Sequence, residues 1–280
     1  MTAQAPSKPR PLREAKAGGE KVARSEGFEW LARAGFAARG VIYVLVGILA
    51  VDLALGHHRQ QASQQGALLT IADQPLGEVL LILVAIGLAG YALWRFVHAL
   101  VGHGKERSSS GLDRVAAFAG GLVYAGLCAV AIGILLGSGS GGSESPQRTA
   151  AGVFGWPGGT WLVGIAGAVF VGVGLYQGYR GFTKDFLEET KTERMGDGVR
   201  TWIEWSGRFG HFARMVVFCL IGAFLIKAAV EYDPSNAVGL DGALAKLEHA
   251  SYGPYLLGVV AAGLIAFGAY SLSNARYGRV

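Results

Sequence analysis

Two charged residues, Asp52 and Lys227, lie inside long apolar stretches, where an ionisable group is costly and is commonly functional. Asp52 follows Arg39 by thirteen residues and Lys227 follows Arg214 by the same number, so both occupy one position of a repeat described below. On helices, these charges would lie about 20 Å beyond the arginines. Two interpretations stay open: a pair across a central axis that moves a proton or an ion, or two charges that extend separately toward the bilayer surface.

A second group of residues combines tryptophan and arginine at the beginnings of apolar stretches, where side chains meet the membrane surface. Such positions are typical of aromatic and cationic anchors that bind anionic lipid headgroups. The alternative is a ligand site at the cytoplasmic end, formed by converging arginines. The predicted interface residues are Trp30, Arg33, Arg39, Arg114, Trp205, Arg208 and Arg214.

The remaining reactive side chains form no recognisable catalytic pattern. No P-loop, dinucleotide-binding fingerprint, zinc-protease motif or nucleophile elbow is present, and no cysteine and histidine spacing matches a zinc site. Cys128 and Cys219 fall in apolar stretches and are predicted to be inert thiols. His98 and His211 leave bis-histidine haem ligation open as an alternative. We predict no cofactor and no metal, and the pattern does not favour an enzyme.

The elements that must position these residues are long apolar helices. The chain is 51% hydrophobic and only 16% charged, whereas a soluble domain carries about 25% charged residues. A bilayer core requires about 20 apolar residues in helical form, because lipid offers the backbone no hydrogen bonds. The sequence therefore predicts an all-α integral membrane protein with six transmembrane helices. Its apolar windows are 40–56, 77–101, 115–137, 159–179, 212–232 and 253–273.

The basic residues alternate across these six spans. Of the 25 lysines and arginines, 21 lie in the terminal segments and in two of the loops, while the three opposite loops hold one each. The positive-inside rule then predicts a plasma (inner) membrane protein with both termini in the cytoplasm. Residues 1–27 are predicted to be a disordered basic cytoplasmic tail. The basic charge is assigned to topology and anionic lipid, so nucleic acid is not a predicted partner.

The chain contains an internal repeat. Residues 28–39 and 203–214 are identical at six of twelve positions. We predict three two-helix repeats, 28–104, 111–186 and 203–280, each entering and leaving on the same side. Such parallel repeats are related by an axis along the membrane normal, which favours a pseudo-threefold bundle over the alternative of a sequential row of hairpins.

The second helices of the repeats supply weaker signals. Tyr91, Tyr176 and Tyr270 align when the helices are matched by aromatic residues, and Arg95 then coincides with Arg180. Stripes of small residues at spacing four predict close helix packing. These stripes are Gly121–Ala125–Ala129–Gly133–Gly137, Gly164–Ala168–Gly172 and Gly258–Ala262–Ala266.

The first repeat opens with Trp30-x-x-Arg33-x-Gly35-x-x-Ala38-Arg39-Gly40-x-x-Tyr43, and the last ends in Gly268-Ala269-Tyr270 with a basic tail. This pattern resembles the bacterial membrane proteins grouped as domain-of-unknown-function family 1206. The resemblance covers nearly all of the chain after residue 27 and implies six spans, three repeats and a bacterial inner membrane, but no activity. We therefore expect a structural or interaction scaffold that binds lipid or membrane-protein partners. The alternative is a small transporter or channel that uses Asp52 and Lys227.

Overall fold

The computed structural model describes residues 26–57, 60–101, 111–137, 145–187, 190 and 196–278. Residues 1–25 lie outside this part, so the tail predicted for residues 1–27 stays a prediction. The described residues form nine α-helices and two short 3-10 turns. The helices are α1 (Glu26–Ala54), α2 (Gln64–Ala72), α3 (Gly77–Val101), α4 (Gly111–Leu135), α5 (Pro146–Phe154), α6 (Gly159–Thr183), α7 (Asp197–Glu231), α8 (Leu240–Glu248) and α9 (Gly253–Tyr277).

Six of these helices are long and apolar enough to cross a membrane, which confirms the predicted all-α membrane fold. They are α1, α3, α4, α6, α7 and α9, with mean hydropathies from 1.7 to 2.1 over their apolar windows. Large apolar side chains such as Leu83, Trp161 and Ile165 are more than half exposed on the outside of the bundle. Apolar surface of this extent is tolerated in lipid and not in water.

Each repeat consists of a long helix, a short helix and a returning long helix. The short helices α2, α5 and α8 are each nine residues long, and the returning helices α3, α6 and α9 each have 25 residues. We call α1–α3 unit 1, α4–α6 unit 2 and α7–α9 unit 3. The beginning of α1 and the end of α9 lie at one end of the bundle, the terminal face, and the short helices lie at the other end, the loop face.

The same turn begins every returning helix. Leu76, Gly158 and Tyr252 adopt positive φ immediately before a glycine. A Cβ on those glycines would lie within 1.7–2.1 Å of a carbonyl oxygen at the end of the short helix. Only glycine fits there, so the turn fixes the register of α3, α6 and α9 relative to one another. The glycines are Gly77, Gly159 and Gly253.

The long helices pack as the pseudo-threefold relation predicts. The returning helix of each unit packs along the first helix of the next unit, which gives the pairs α3–α4, α6–α7 and α9–α1. Within units 1 and 3, the two long helices also pack along each other. Unit 2 departs from this pattern, because α4 and α6 form no extended contact along their described lengths. The ring of helices is therefore open between α4 and α6, and we call this opening the lateral gap.

The reciprocal glycine contacts in the ring use glycines that the predicted stripes do not contain. Gly40 of α1 meets Gly268 of α9, and a Cβ on either would lie 2.8–2.9 Å from the carbonyl oxygen of the other. Gly167 of α6 and Gly222 of α7 form the same reciprocal contact. Two stripe glycines do meet a neighbour: a Cβ on Gly121 would lie 2.7 Å from the Phe96 ring, and one on Gly164 would lie 3.4 Å from Ala229. An added Cβ at Gly133, Gly172 or Gly258 would meet nothing within 4 Å. The stripes therefore mark close packing at some positions and not at others, because spacing alone does not say which side of a helix faces a neighbour.

The structure also corrects the alignment of the returning helices. Gly35 packs against the backbone of Tyr91, and its counterpart Gly210 packs in the same way against Phe267. Tyr91 is therefore equivalent to Phe267, and Trp94 is equivalent to Tyr270. The predicted match of Tyr91 with Tyr270 was wrong by three residues, because it followed the aromatic residues and not the glycines that set the register.

Candidate functional site

The arginines of the predicted interface separate into two levels. At the terminal face, Arg33 forms an ion pair with Glu29 at 2.5 Å, and both side chains are partly exposed. Arg208, at the equivalent position, lies 5.7 Å from the ring of Trp205. Arg114 is the third equivalent and is exposed. With the exposed Trp30 and Trp205, these residues keep the surface positions that headgroup binding requires, and that role stays a prediction.

Arg39 lies at the second level, about 9 Å farther along α1 than Arg33. Only 7% of it is exposed, so the prediction that it anchors headgroups at the surface was wrong. Its Nη1 donates to the hydroxyl oxygen of Tyr91, and its Nε donates to Ser271 Oγ at 3.2 Å. Its guanidinium carbon lies 5.0 Å from the centroid of the Tyr91 ring and 5.2 Å from that of Phe267. Arg39 thus joins α1 to α9 and α3 through neutral oxygens and aromatic faces.

Arg214 is the equivalent residue of α7 and repeats this arrangement with different partners. The side-chain oxygen of Gln177, in the amide orientation that satisfies both groups, accepts from Arg214 Nη1 at 2.8 Å and from Nη2 at 3.0 Å. The guanidinium carbon lies 4.4 Å from the Phe267 centroid and 5.2 Å from that of Phe218. Ser271 and Gln177 occupy equivalent positions on α9 and α6, so both interfaces pair an arginine with a neutral side-chain oxygen.

The third interface holds its arginine on the opposite helix. Gly120 of α4 stands where α1 and α7 carry arginine, and Arg95 of α3 stands where α9 and α6 carry Ser271 and Gln177. The Arg95 guanidinium occupies the space left by the glycine: a Cβ on Gly120 would lie 3.1 Å from Arg95 Cζ. Arg95 Cζ lies 5.5 Å from the centroid of the Tyr91 ring. Its Nε is buried and has no acceptor among the described residues.

Each interface between units therefore contributes one arginine at the same level of the bundle. Arg39 shares the Phe267 ring with Arg214 and the Tyr91 ring with Arg95. We call the three residues the arginine centre: Arg39, Arg95 and Arg214. The ring of Tyr124 packs edge-on against that of Tyr91, with the two centroids 4.5 Å apart. Within the described ranges, no carboxylate forms an ion pair with any of the three guanidinium groups. In the part of the chain that the structure describes, only neutral oxygens and aromatic rings contact the three positive charges of the centre.

The burial of these arginines follows the lateral gap. Arg39, in the interface α9–α1 on the opposite side of the ring, is buried. Arg95 and Arg214 lie in the two interfaces that border unit 2, and each is only half-buried. The part of the centre beside the gap is therefore the part open to its surroundings.

The terminal side of the centre in unit 3 is covered by the segment that follows α6. Phe186 is fully buried, and its ring stacks on that of His211 at 5.0 Å. Its carbonyl oxygen accepts from the Tyr270 hydroxyl at 3.2 Å. His211 Nδ1 donates to the Gly207 carbonyl oxygen at 2.7 Å, which gives this histidine a structural role in the core. No group of three potential metal ligands occurs in the described part of the chain.

The predicted pair of Asp52 and Lys227 is not formed. Lys227 lies 3.9 Å from Glu231, one turn farther along α7, and both side chains are about half exposed. No ion pair joins Asp52 to Lys227 among the residues that the structure describes. The long lysine side chain reaches a nearby acidic group on its own helix more easily than one across the bundle.

Sequence reasoning raised a site of converging arginines only as an alternative and did not include Arg95 in it. Arg39 and Arg214 were assigned to headgroup depth together with Arg33 and Arg208, which precede them by six residues. Six residues also turn a side chain by about 240° around the helix, so the two levels face different surroundings. The apolar residues that flank Arg39 on both sides were the available signal. Nothing in one sequence indicated that Arg95 replaces an arginine of α4.

Comparison with known proteins supports the repeat. The family model described as Domain of Unknown Function (DUF1206) matches three times, over residues 34–102, 115–184 and 209–278. The "Uncharacterized protein YxxB" of Bacillus subtilis strain 168 is 36% identical over 249 residues, which cover 88% of this chain and 89% of that protein. No solved structure matches the chain significantly. The three family matches and this similarity show that the chain is a member of the DUF1206 family of membrane proteins.

Proposed function

We propose that this protein is a membrane scaffold that binds one anionic group, a phosphate or a carboxylate, at the arginine centre. The observation that carries the proposal is the convergence of Arg39, Arg95 and Arg214 with no carboxylate partner in the described residues. A charge inside a membrane protein is costly unless it is paired. An anion would supply the missing partner and would accept charge-assisted hydrogen bonds from the guanidinium groups.

The chemistry of the centre fits binding better than catalysis. Tyrosine, serine and glutamine oxygens orient the guanidinium groups, and aromatic rings pack around them. No carboxylate or cysteine contacts the centre among the described residues, so the site offers donors for an anion but no strong base. A fixed set of guanidinium donors is well suited to hold a phosphate or carboxylate.

The test compares buried arginines with a surface arginine. Wild-type protein, Arg39→Gln, Arg214→Gln and the control Arg33→Gln are purified in neutral detergent, and their thermal unfolding is followed with increasing inorganic phosphate. A ligand that binds only the folded state raises its stability by RT ln(1 + [L]/Kd). We expect phosphate to raise the unfolding temperature of wild type and of Arg33→Gln.

Phosphate should raise the unfolding temperatures of Arg39→Gln and Arg214→Gln much less. Loss of one hydrogen bond to a charged group costs about 1.5–3 kcal/mol, which corresponds to at least a tenfold loss of affinity. A phosphate response of equal size in all four proteins would show ionic-strength effects only and would refute the proposal. The control matters because Arg33→Gln changes the net charge by the same amount.

We also propose that the protein lies in the bacterial plasma membrane with the terminal face toward the cytoplasm. The asymmetry of lysine and arginine supports this orientation. Single cysteines introduced at the terminal face should react with a membrane-impermeant reagent only after the cells are opened. Labelling of intact cells from outside would contradict the orientation without affecting the anion site.

A further inference from the structure

The lateral gap leads to a half-buried part of the arginine centre, which suggests the source of the anion. The helices α4 and α6 that border the gap are the least enclosed of the six. In their apolar windows, 17% and 22% of the residues are buried, compared with 61% in α1. Each of these two helices packs along only one neighbouring long helix. A bilayer would bring acyl chains directly against this opening.

Two aromatic rings connect α6, which borders the gap, to Arg214. Phe170 of α6 is half-buried, and its ring lies 6.0 Å from that of Phe218 on α7. The guanidinium carbon of Arg214 lies 5.2 Å from the centroid of the Phe218 ring. Phe170 therefore packs against the core on α6, a helix that borders the gap, and lies next to the ring that Arg214 covers. Phe182, on the same helix, is 73% exposed and serves as a surface control for Phe170.

We infer that the ligand is an anionic phospholipid that enters sideways through the lateral gap, so that its phosphate reaches Arg95 and Arg214 while an acyl chain lies between α4 and α6. This inference rests on the proposed anion site and adds the chemical class and the route of the ligand. Charge complementarity selects this occupant, because Arg95 and Arg214, the half-buried members of the arginine centre, attract an anionic headgroup. A neutral phospholipid or the surface of a second protein copy does not supply the missing net charge.

Photo-crosslinking distinguishes these occupants. The variants Phe170→p-benzoylphenylalanine and Phe182→p-benzoylphenylalanine are reconstituted in nanodiscs that contain phosphatidylglycerol and phosphatidylcholine in equal amounts. After irradiation, crosslinked lipids are identified by mass spectrometry. An arginine near an anionic headgroup favours it by about fivefold, so position 170 should capture phosphatidylglycerol over phosphatidylcholine by that factor or more. Position 182 should capture the two lipids close to their bulk ratio.

Arg214→Gln should lower the enrichment at position 170 and leave position 182 unchanged. Equal capture of both lipids at position 170 would overturn the lateral-lipid inference, and so would a crosslinked protein dimer there. The phosphate titration separates the two claims: if detergent-purified protein still binds inorganic phosphate through Arg39 and Arg214, the anion site stands and only the lipid route fails. If the arginine substitutions change neither the phosphate-dependent unfolding temperature nor the lipid crosslinking, both claims fail.

Discussion

Exchanging the arginine between the two sides of the α3–α4 interface tests the assignment of one arginine to each interface. The single variant Gly120→Arg should be strongly destabilised. A Cβ at residue 120 already meets the Arg95 guanidinium at 3.1–3.4 Å, and such overpacking costs about 1–3 kcal/mol. Two guanidinium charges about 4 Å apart repel by about 4 kcal/mol at an effective dielectric constant of 20. The combined cost is therefore about 5 kcal/mol or more, which is comparable to the stability of a domain.

The double variant Arg95→Ser/Gly120→Arg should recover most of this loss. It places serine opposite arginine, which is the arrangement of Ser271 and Arg39 in the interface α9–α1. Arg95→Ser alone removes a cation whose Nε lacks an acceptor, so its stability should change little while its response to phosphate falls. The double variant should regain that response, because the centre again holds three guanidinium groups.

The assay is unfolding of the four proteins in mild detergent, by heat and by titration with sodium dodecyl sulfate, analysed as a double-mutant cycle. Contacting residues commonly show coupling energies of about 0.5–3 kcal/mol, and the repulsion predicted here should place the coupling at the upper end or above. A double variant as unstable as Gly120→Arg alone would refute the equivalence of the two positions. So would a coupling energy near zero.

Three further changes test the packing and the loop face. Gly35→Ala places a Cβ 2.6–2.9 Å from atoms of α3 and should lower the unfolding free energy by about 1–3 kcal/mol. Gly126→Ala meets nothing within 4 Å and should raise the unfolding free energy by about 0.5–1 kcal/mol. The same unfolding temperature for both variants would contradict the packing of Gly35 against α3. Phe186→Ala should cost about 3–5 kcal/mol in the same assay, and a loss below 1 kcal/mol would show that its buried ring does not hold the terminal side closed. The hydroxyl and then the backbone N–H of Ser235 hold the pKa of Asp233 below its usual range. The ionised Asp233 carboxylate stabilises the folded state fully above the ordinary carboxyl pKa, and this contribution is lost as the pH falls through the lowered pKa of Asp233. Asp233→Asn should therefore be less stable than wild type near neutral pH and as stable as wild type in acid.

Composition and charge predicted the six helices and their common direction, because lipid leaves the backbone few alternatives to a helix. Similarity between residues 28–39 and 203–214 predicted the repeat. The register of the returning helices could not be obtained in the same way. Tyr91 and Tyr270 are similar in type, but the glycine turns before α3 and α9 place Tyr91 opposite Phe267.

The candidate site was only partly accessible to sequence reasoning. Arg39 and Arg214 were found as equivalent residues, yet their depth depends on the turn of the helix and on the neighbour that covers it. Arg95 was assigned to the wrong equivalents because of the three-residue error in register. Its relation to Gly120 requires knowing that α3 packs along α4, which is a property of the assembled ring. Sequence left two interpretations open for Asp52 and Lys227 for the same reason, since repeat position does not determine contact, and no ion pair joins them among the described residues.

Both departures from threefold symmetry fall on unit 2, and together they place the three arginines on the helices that do not border the lateral gap. The three arginines belong to α1, α3 and α7, and each of these helices packs along two long neighbours. At this level the helices beside the lateral gap carry neutral residues, Gly120 on α4 and Gln177 on α6. An arginine at residue 120 would have placed a charge on a helix supported from one side only. Moving it to Arg95 keeps all three guanidinium groups on well-supported helices, where they hold fixed positions for an anion, and leaves the borders of the gap apolar and free to separate around a lipid chain.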